Sequence, residues 1–215
     1  MNRKTIKLDK LPTIRRLPTY LQLLRGLSRK GSEFVSSGHL AEIMGIDSIL
    51  VRKDFELTGI TGTTRVGYSI PDLTRSIEDF LGWGDTQNAF LIGVGQFGSA
   101  LLGYKDLTNY GLKIVAAFDN DPMKINSSVH GIPVFDIAKM SELLNRLNVR
   151  LAVLTLPPEE AQGIANLLVE SGIRGIWNFT SAALDVPDCV TTHKEDLISG
   201  FAVLSVKMAR NTVNE

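Results

Sequence analysis

The run Phe90-Leu91-Ile92-Gly93-Val94-Gly95-Gln96-Phe97-Gly98 constrains this chain more than any other stretch. Three apolar residues read as the end of a buried strand, and Ala100-Leu101-Leu102 reads as the helix that follows. A G-x-G-x-x-G pattern between a strand and a helix is the fingerprint of a dinucleotide-binding turn. Gly93 permits the tight turn, Gly95 lets backbone approach a pyrophosphate, and Gly98 lets the helix press on the sheet. The helix N-terminus adds unpaired N–H groups and a partial positive charge for the phosphates. Val94, Gln96 and Phe97 fill the loop between the glycines and belong to the same candidate site. Asp119 lies 21 residues beyond Gly98, closing a second apolar strand, Lys113–Phe118. A carboxylate there can accept both ribose hydroxyls of adenosine, and it would oppose a 2′-phosphate, so NAD(H) is expected over NADP(H). Asn120 and Asp121 read as turn residues.

The same rhythm continues to the C-terminal end. Met140–Leu147 reads as a helix, Leu151–Thr155 as a strand, the segment opened by Pro157 and Glu159 as a helix, and Gly175–Phe179 as a strand. Continuous apolar strands alternating with amphipathic helices imply a parallel sheet covered on both faces.

Charge separates this half from the first. The 215 residues carry 23 basic and 23 acidic side chains, but residues 1–70 hold 12 basic against 6 acidic. Such an excess points to a polyanionic partner. The local pattern there is of short helices. Pro18 is placed to begin one, with Tyr20, Leu21, Leu23, Leu24 and Leu27 as its apolar stripe. Ser36 or Ser37 can cap a second helix ending at Gly45, and Asp47 can cap a third, Ser48–Glu56. Two helices joined by a tight turn match a helix-turn-helix, whose second helix would offer Ser48, Arg52 and Lys53 to the major groove. Arg15, Arg16, Arg25, Arg29 and Lys30 add phosphate attraction. The Gly- and Thr-rich stretch Ile60–Ile70 suits a two-stranded ribbon, the wing of a winged helix, and Gly82-Trp83-Gly84-Asp85 reads as a linker.

Composition excludes other classes. Apolar residues make up 44% and charged residues 21%, ordinary soluble usage. No run nears the ~18 apolar residues of a membrane helix, and Met1–Lys10 is too charged for a signal peptide. The single cysteine, Cys189, excludes an internal disulfide and a multi-cysteine zinc site, so no metal centre is expected and the chain reads as cytoplasmic. Catalysis has few candidates. His39 falls in the helix-turn-helix, His130 in a polar loop, and only His193, near Asp196, has a spacing that could orient an acid–base imidazole. A cofactor without a visible reaction suggests sensing. Two other readings fit the residues: a small NAD-dependent oxidoreductase with a basic appendage, and a nucleotide-gated regulatory subunit for a protein partner.

Across nearly its whole length the sequence resembles the Rex family of bacterial redox-sensing transcriptional repressors. The resemblance is carried by Arg16-Leu17-Pro18, Val35-Ser36-Ser37, Val51-Arg52-Lys53-Asp54-Phe55, Val66-Gly67-Tyr68, Gly93–Gly98, Phe118-Asp119, Leu154-Thr155-Leu156-Pro157, Asn178-Phe179 and Asp196-Leu197. It implies an α/β chain in three parts: a winged helix-turn-helix domain at 1–82, a Rossmann-like parallel-sheet NAD(H) domain at 86–192, and a swapped C-terminal dimerisation helix at 193–215. Leu197, Ile198, Phe201, Leu204 and Met208 supply an apolar stripe for that helix. The resemblance also implies a homodimer on a palindromic DNA operator, released when NADH replaces NAD+. It adds Thr155 and Pro157 to the cofactor site and makes Arg16, Tyr104 and Asp196 a switch network. The family wing carries a pattern like G-K-R-G-x-G-Y, whereas this chain has Gly62-Thr63-Thr64-Arg65-Val66-Gly67-Tyr68. Thr63, Thr64 and Arg65 therefore stand where DNA contacts are expected, with two charges replaced by hydroxyls.

Overall fold

Residues 10–211 are described by the computed structural model, and the charged stretch 1–9 and residues 212–215 lie outside it. The chain divides into two units between Asp85 and Thr86.

In the first unit, helix α1 spans Leu11–Arg29. It begins seven residues earlier than Pro18 suggests, with Pro12 in its first turn and Pro18 inside it. An interior proline removes one N–H and crowds the carbonyl four residues back. Here buried Leu17, Tyr20, Leu21 and Leu24 hold the helix together on both sides of it. Strand β1 (Phe34–Val35) leads into α2 (Ser37–Met44), where Ser36 is the cap, its Oγ accepting the His39 N–H at 3.1 Å. After a three-residue turn, Asp47 caps α3 (Ser48–Thr58), its carboxylate accepting the Ile49 N–H at 2.6 Å. Strand β2 (Tyr68–Ser69) and helix α4 (Ile70–Leu81) complete the unit. Tyr20, Phe55 and Tyr68 pack edge to face at 4.9 and 5.0 Å in its centre.

The ribbon expected within 60–70 is smaller than that stretch suggests. Its own pairing is one bridge, Thr63 to Gly67, while Tyr68–Ser69 pairs antiparallel with Phe34–Val35. Gly67 lies so close to Val35 that a side chain there would meet the Val35 carbonyl, and Tyr68 turns its ring into the core. Burial of that ring sets the register.

The second unit is one sheet of seven strands: β3 (Gln87–Ile92), β4 (Leu112–Asp119), β5 (Ser128–Val129), β6 (Ile132–Asp136), β7 (Leu151–Leu154), β8 (Gly175–Asn178) and β9 (Thr191–Lys194). Their spatial order is β5-β6-β4-β3-β7-β8-β9, with only β5 antiparallel. Six parallel strands in the order 3-2-1-4-5-6 are the doubly wound arrangement, whose direction of winding reverses between β3 and β7. Helices α5 (Gln96–Leu102), α6 (Met140–Arg146) and α7 (Pro158–Glu170) connect them, and apolar clusters cover both faces. Local sequence pattern does not mark β5, β6 or β9. Strand β9 also crosses the boundary expected between 192 and 193, and helix α8 (Leu197–Asn211) follows it. From Ile198 to Ala209 every residue of α8 is exposed, including Phe201 and Leu204 of the apolar stripe.

Candidate functional site: a nucleotide cleft and a basic helix

A doubly wound sheet opens a crevice where its winding reverses, beyond the carboxyl ends of the strands. Here that crevice holds about 230 Å³ between Gly93, Gly95, Asp119, Lys124, Thr155 and Pro157. Gly93 and Gly98 take the tight turn and the close packing that their spacing predicts. Gly93 has φ +98°, a left-handed conformation costly for other residues. At Gly98 a Cβ would overlap the Gly93 carbonyl oxygen and lie 2.8 Å from Thr155 Oγ1, so α5 touches the turn with no space for a methyl. At Gly95 a Cβ would meet nothing within 4 Å, leaving that stretch of backbone open to a ligand. The first turn of α5 leaves N–H groups of Gln96 and Phe97 without intrahelical acceptors.

Two expected ligand residues also serve the turn itself. The Thr155 hydroxyl donates to the Gly93 carbonyl at 2.7 Å, tying the turn to β7. Asp119, expected to offer its carboxylate to both ribose hydroxyls, is only 6% exposed and already holds three donors of its own chain. Oδ2 accepts the Val94 N–H at 2.7 Å and Lys124 Nζ at 3.1 Å, and Oδ1 accepts the Asp121 N–H at 2.9 Å. Burial opposes ionisation of this group, but the donors from Asp121, Lys124 and Val94 outweigh it and hold the carboxyl below its ordinary range. Lys124 is a member of the site that sequence reasoning misses. The only signal is a lysine five residues after the strand-end acid, in a turn where Asp121 accepts the Met123 N–H.

Beyond β8, Asn178 is 2% exposed and shapes the next loop, donating to the Ala182 carbonyl and accepting the Thr180 N–H, each at 2.9 Å. Phe97 of α5 packs on Phe179 at 5.2 Å, and Phe179 on Trp177 at 4.7 Å. The Trp177 indole N–H donates to Glu195 at 2.9 Å. His193 faces Glu195 at 3.5 Å, not Asp196, and is well exposed on β9. Asp196 instead accepts the Ile198 N–H at 3.0 Å, at the start of α8. Tyr104 is exposed and precedes a short 3₁₀ turn, Lys105–Tyr110. Cys189 is exposed and unpaired. Among the described residues no group of His, Cys, Asp and Glu is placed to hold a metal, and no helix is long and apolar enough to cross a membrane.

In the first unit, Val51 and Phe55 bury one side of α3 while Arg52 and Lys53 stand exposed on the other. Asp54, unremarkable in sequence beyond its place in a motif, lies wholly inside. Arg16, expected in the switch network, grips it from α1 with Nε and Nη2, both at 2.7 Å. An acid on the apolar side of a basic helix was the available signal. In the wing, Arg65 has φ +66°, at the third position of the turn closed by the Val66 N–H on the Thr63 carbonyl. That position in a type II turn favours glycine, which is what the family pattern carries there.

Known proteins show the same combination. Residues 85–182 match the family described as CoA binding domain, and residues 11–56 that described as Putative DNA-binding protein N-terminus. The redox-sensing transcriptional repressor Rex of Treponema denticola is 42% identical over 202 residues, 94% of this chain and 96% of that protein. The chain belongs to the Rex family of redox-sensing transcriptional repressors. Rex of Porphyromonas gingivalis is 39% identical over 92% of this chain and 90% of its own. The Rex-family repressor RSP has a solved structure with TM-score 0.86 at 28% identity, covering 98% of this chain and 97% of that one. RSP has been solved with β-NAD+ and operator DNA (TM-score 0.87, 29% identity, covering 98% and 96%) and with β-NADH (0.86, 29%, covering 98% of each). The α/β architecture and the order of the two units agree with the Rex family throughout.

Proposed function

We propose that this Rex-family chain is a homodimeric repressor that holds inverted-repeat operator DNA when NAD+ is bound and releases it when NADH replaces it. The observation that carries this reading is the cleft at the sheet's reversal, where Gly98 presses on the Gly93 turn and Asp119 braces it from β4.

The residues fit a dinucleotide. The open backbone at Gly95 and the free N–H groups of Gln96 and Phe97 would hold the pyrophosphate. Asp119 would hold the adenosine ribose, and Pro157, where α7 starts, would flank the cleft. The second half of the sheet, β7 to β9, would receive the nicotinamide, beside the Phe97–Phe179–Trp177 row. When bound, NAD(H) supplies a ring that is cationic when oxidised and neutral when reduced. An aromatic row offers the neutral ring an apolar surface, while the Glu195 carboxylate beside it already accepts the Trp177 indole N–H, so the two charge states meet different surroundings and would bind with different strengths. The indole of Trp177 reaches Glu195 and the backbone of Asp196 continues into α8, so the residues bordering that ring lead to the terminal helix.

The exposed apolar stripe of α8 is the surface through which two copies would pair. Ser48, Arg52 and Lys53 on α3 would enter the major groove, with Thr63, Thr64 and Arg65 of the wing against the backbone. Two such helices must lie about 34–36 Å apart to enter successive grooves, so a modest rotation between copies breaks the match. Full reversal from 1:99 to 99:1 needs a preference of about 5.5 kcal/mol between ligands, and partial switching needs less. Arg16, Tyr104 and Asp196 are proposed as the switch residues, Arg16 acting through its grip on α3. We read the protein as a regulator without an enzymatic step, in line with relatives described as transcriptional repressors.

Selection of duplexes from a random pool by the full chain, with NAD+ and then with NADH, tests the reading. Inverted repeats should be enriched with NAD+ and shed with NADH; retention equal in both overturns it.

A further inference from the structure

The acceptor capacity of Asp119 is nearly exhausted before any ligand arrives. A carboxylate offers roughly four lone-pair sites. Val94, Lys124 and Asp121 occupy three of them. A ribose brings two adjacent O–H donors, so seating both on Asp119 requires one resident donor to leave. Val94 and Asp121 donate from backbone fixed by the glycine turn and by the end of β4. Lys124 donates from the end of a flexible four-carbon stem, lines the cleft, and is 37% exposed. A second acceptor stands ready for it: Asp121 Oδ2 lies 3.8 Å from the same nitrogen.

We propose that Lys124 determines which adenosine ribose this cleft accepts: it is the resident counter-ion of Asp119, passes to Asp121 when an unphosphorylated ribose is seated, and becomes a ligand for a 2′-phosphate once the Asp119 carboxylate is removed. The inference rests on the dinucleotide reading above and deepens it. Asp119 and Glu160 line the cleft against one lysine, and Asp121 stands beside that lysine, so the surroundings are net negative and reject a 2′-phosphate in the unmodified chain. The same lysine is the positive group at that end of the cleft, and Asp119 is what keeps it engaged.

Fluorescence titration of the full chain with NADH and with NADPH, in Asp119→Asn, Asp119→Asn/Lys124→Met and Asp119→Asn/Lys124→Arg, tests this. In the unmodified chain NADH should bind at least tenfold more tightly than NADPH. Asp119→Asn, which keeps an acceptor for Val94, should shift the ratio of the two dissociation constants toward NADPH by tenfold or more. Adding Lys124→Met should cancel that shift, and Lys124→Arg should retain it. NADPH binding to Asp119→Asn should also weaken with added salt, and more steeply than in the Lys124→Met double variant. Equal NADPH affinity in Asp119→Asn with and without Lys124 overturns the proposal while NADH binding by the unmodified chain stands. Absence of NADH binding by the folded, unmodified chain instead overturns the redox-sensor reading beneath it.

Discussion

Arg16 and Asp54 form a two-pronged ion pair that locks the first helix onto the helix that carries the exposed basic side chains. Thr13 and Tyr20 add hydroxyl donors at 2.8 Å each, so four donor atoms from three residues converge on one buried carboxylate. Removing one member of a buried pair leaves an uncompensated charge and typically costs about 3–5 kcal/mol. Asp54→Ala should fall at the low end of that range, because Arg16 is 23% exposed and regains water. Urea unfolding followed by circular dichroism should show the loss, and operator affinity should fall with it. Arg16→Lys should give a smaller loss, since a point charge cannot reproduce the planar fork.

The same pair sets an acid limit. Burial disfavours the charged form of Asp54, yet the donors from Arg16, Thr13 and Tyr20 prevail and place its carboxyl below the ordinary value. A carboxyl lowered in the folded state contributes stability that is fully present above its unfolded pKa of about 3.9 and disappears as pH falls through the folded value. The urea midpoint of the unmodified chain should therefore drop below about pH 4. In Asp54→Asn, already weaker at neutral pH, that part of the drop should be missing. An equal pH response in both proteins would count against the pair.

Two glycines of one motif should respond differently to the same methyl. At Gly98 the new Cβ collides with the Gly93 carbonyl, so Gly98→Ala should lower Tm and abolish NADH binding together. At Gly95 the Cβ meets no protein atom, so Gly95→Ala should keep Tm within about 2 °C yet weaken NADH tenfold or more if the pyrophosphate lies there. Differential scanning fluorimetry and NADH titration separate the two effects.

The exposed basic pair on α3 offers a third separation. Arg52→Ala/Lys53→Ala should leave unfolding within about 0.5 kcal/mol, since neither side chain is buried. Gel-shift assays should show operator binding lost while NADH titration of the full chain is unchanged. Persistent operator binding would remove α3 from the interface.

In the wing, Arg65→Gly relieves a left-handed residue that costs about 1–2 kcal/mol, a gain largely offset by the greater freedom of glycine when unfolded. Stability should change little. If Arg65 meets a phosphate, the slope of log K against log salt should shrink by about 0.9 for each phosphate no longer neutralised.

The parts of the fold legible in sequence were those written in local periodicity. Apolar runs such as Phe90–Ile92 and Leu151–Leu154 suit little besides a buried parallel strand, and the glycine spacing fixed the cleft between them. Strands β5 and β9 escaped because β5 has only two residues, of which Val129 alone is half-buried, and all four residues of β9 are exposed, so neither carries an apolar pattern. The wing misled because Tyr68 pairs with residues more than thirty positions earlier, for a burial that local spacing does not encode. The bonds of Asp54 to Arg16 and of Asp119 to Val94 are likewise long-range, so local pattern marks neither the buried pair nor the brace on the glycine turn.

The close approach of Gly98 to the Gly93 carbonyl has a thermodynamic corollary. On the proposed reading, a turn with no slack would hold the unchanging adenosine diphosphate portion of either redox form equally well, and equal grip cannot discriminate. That portion acts as a common anchor, and with the anchor saturated the two forms compete for one seat. Occupancy then follows their proportion and not their total, so a chain built this way is a gauge of balance, indifferent to how large the cell's pool becomes.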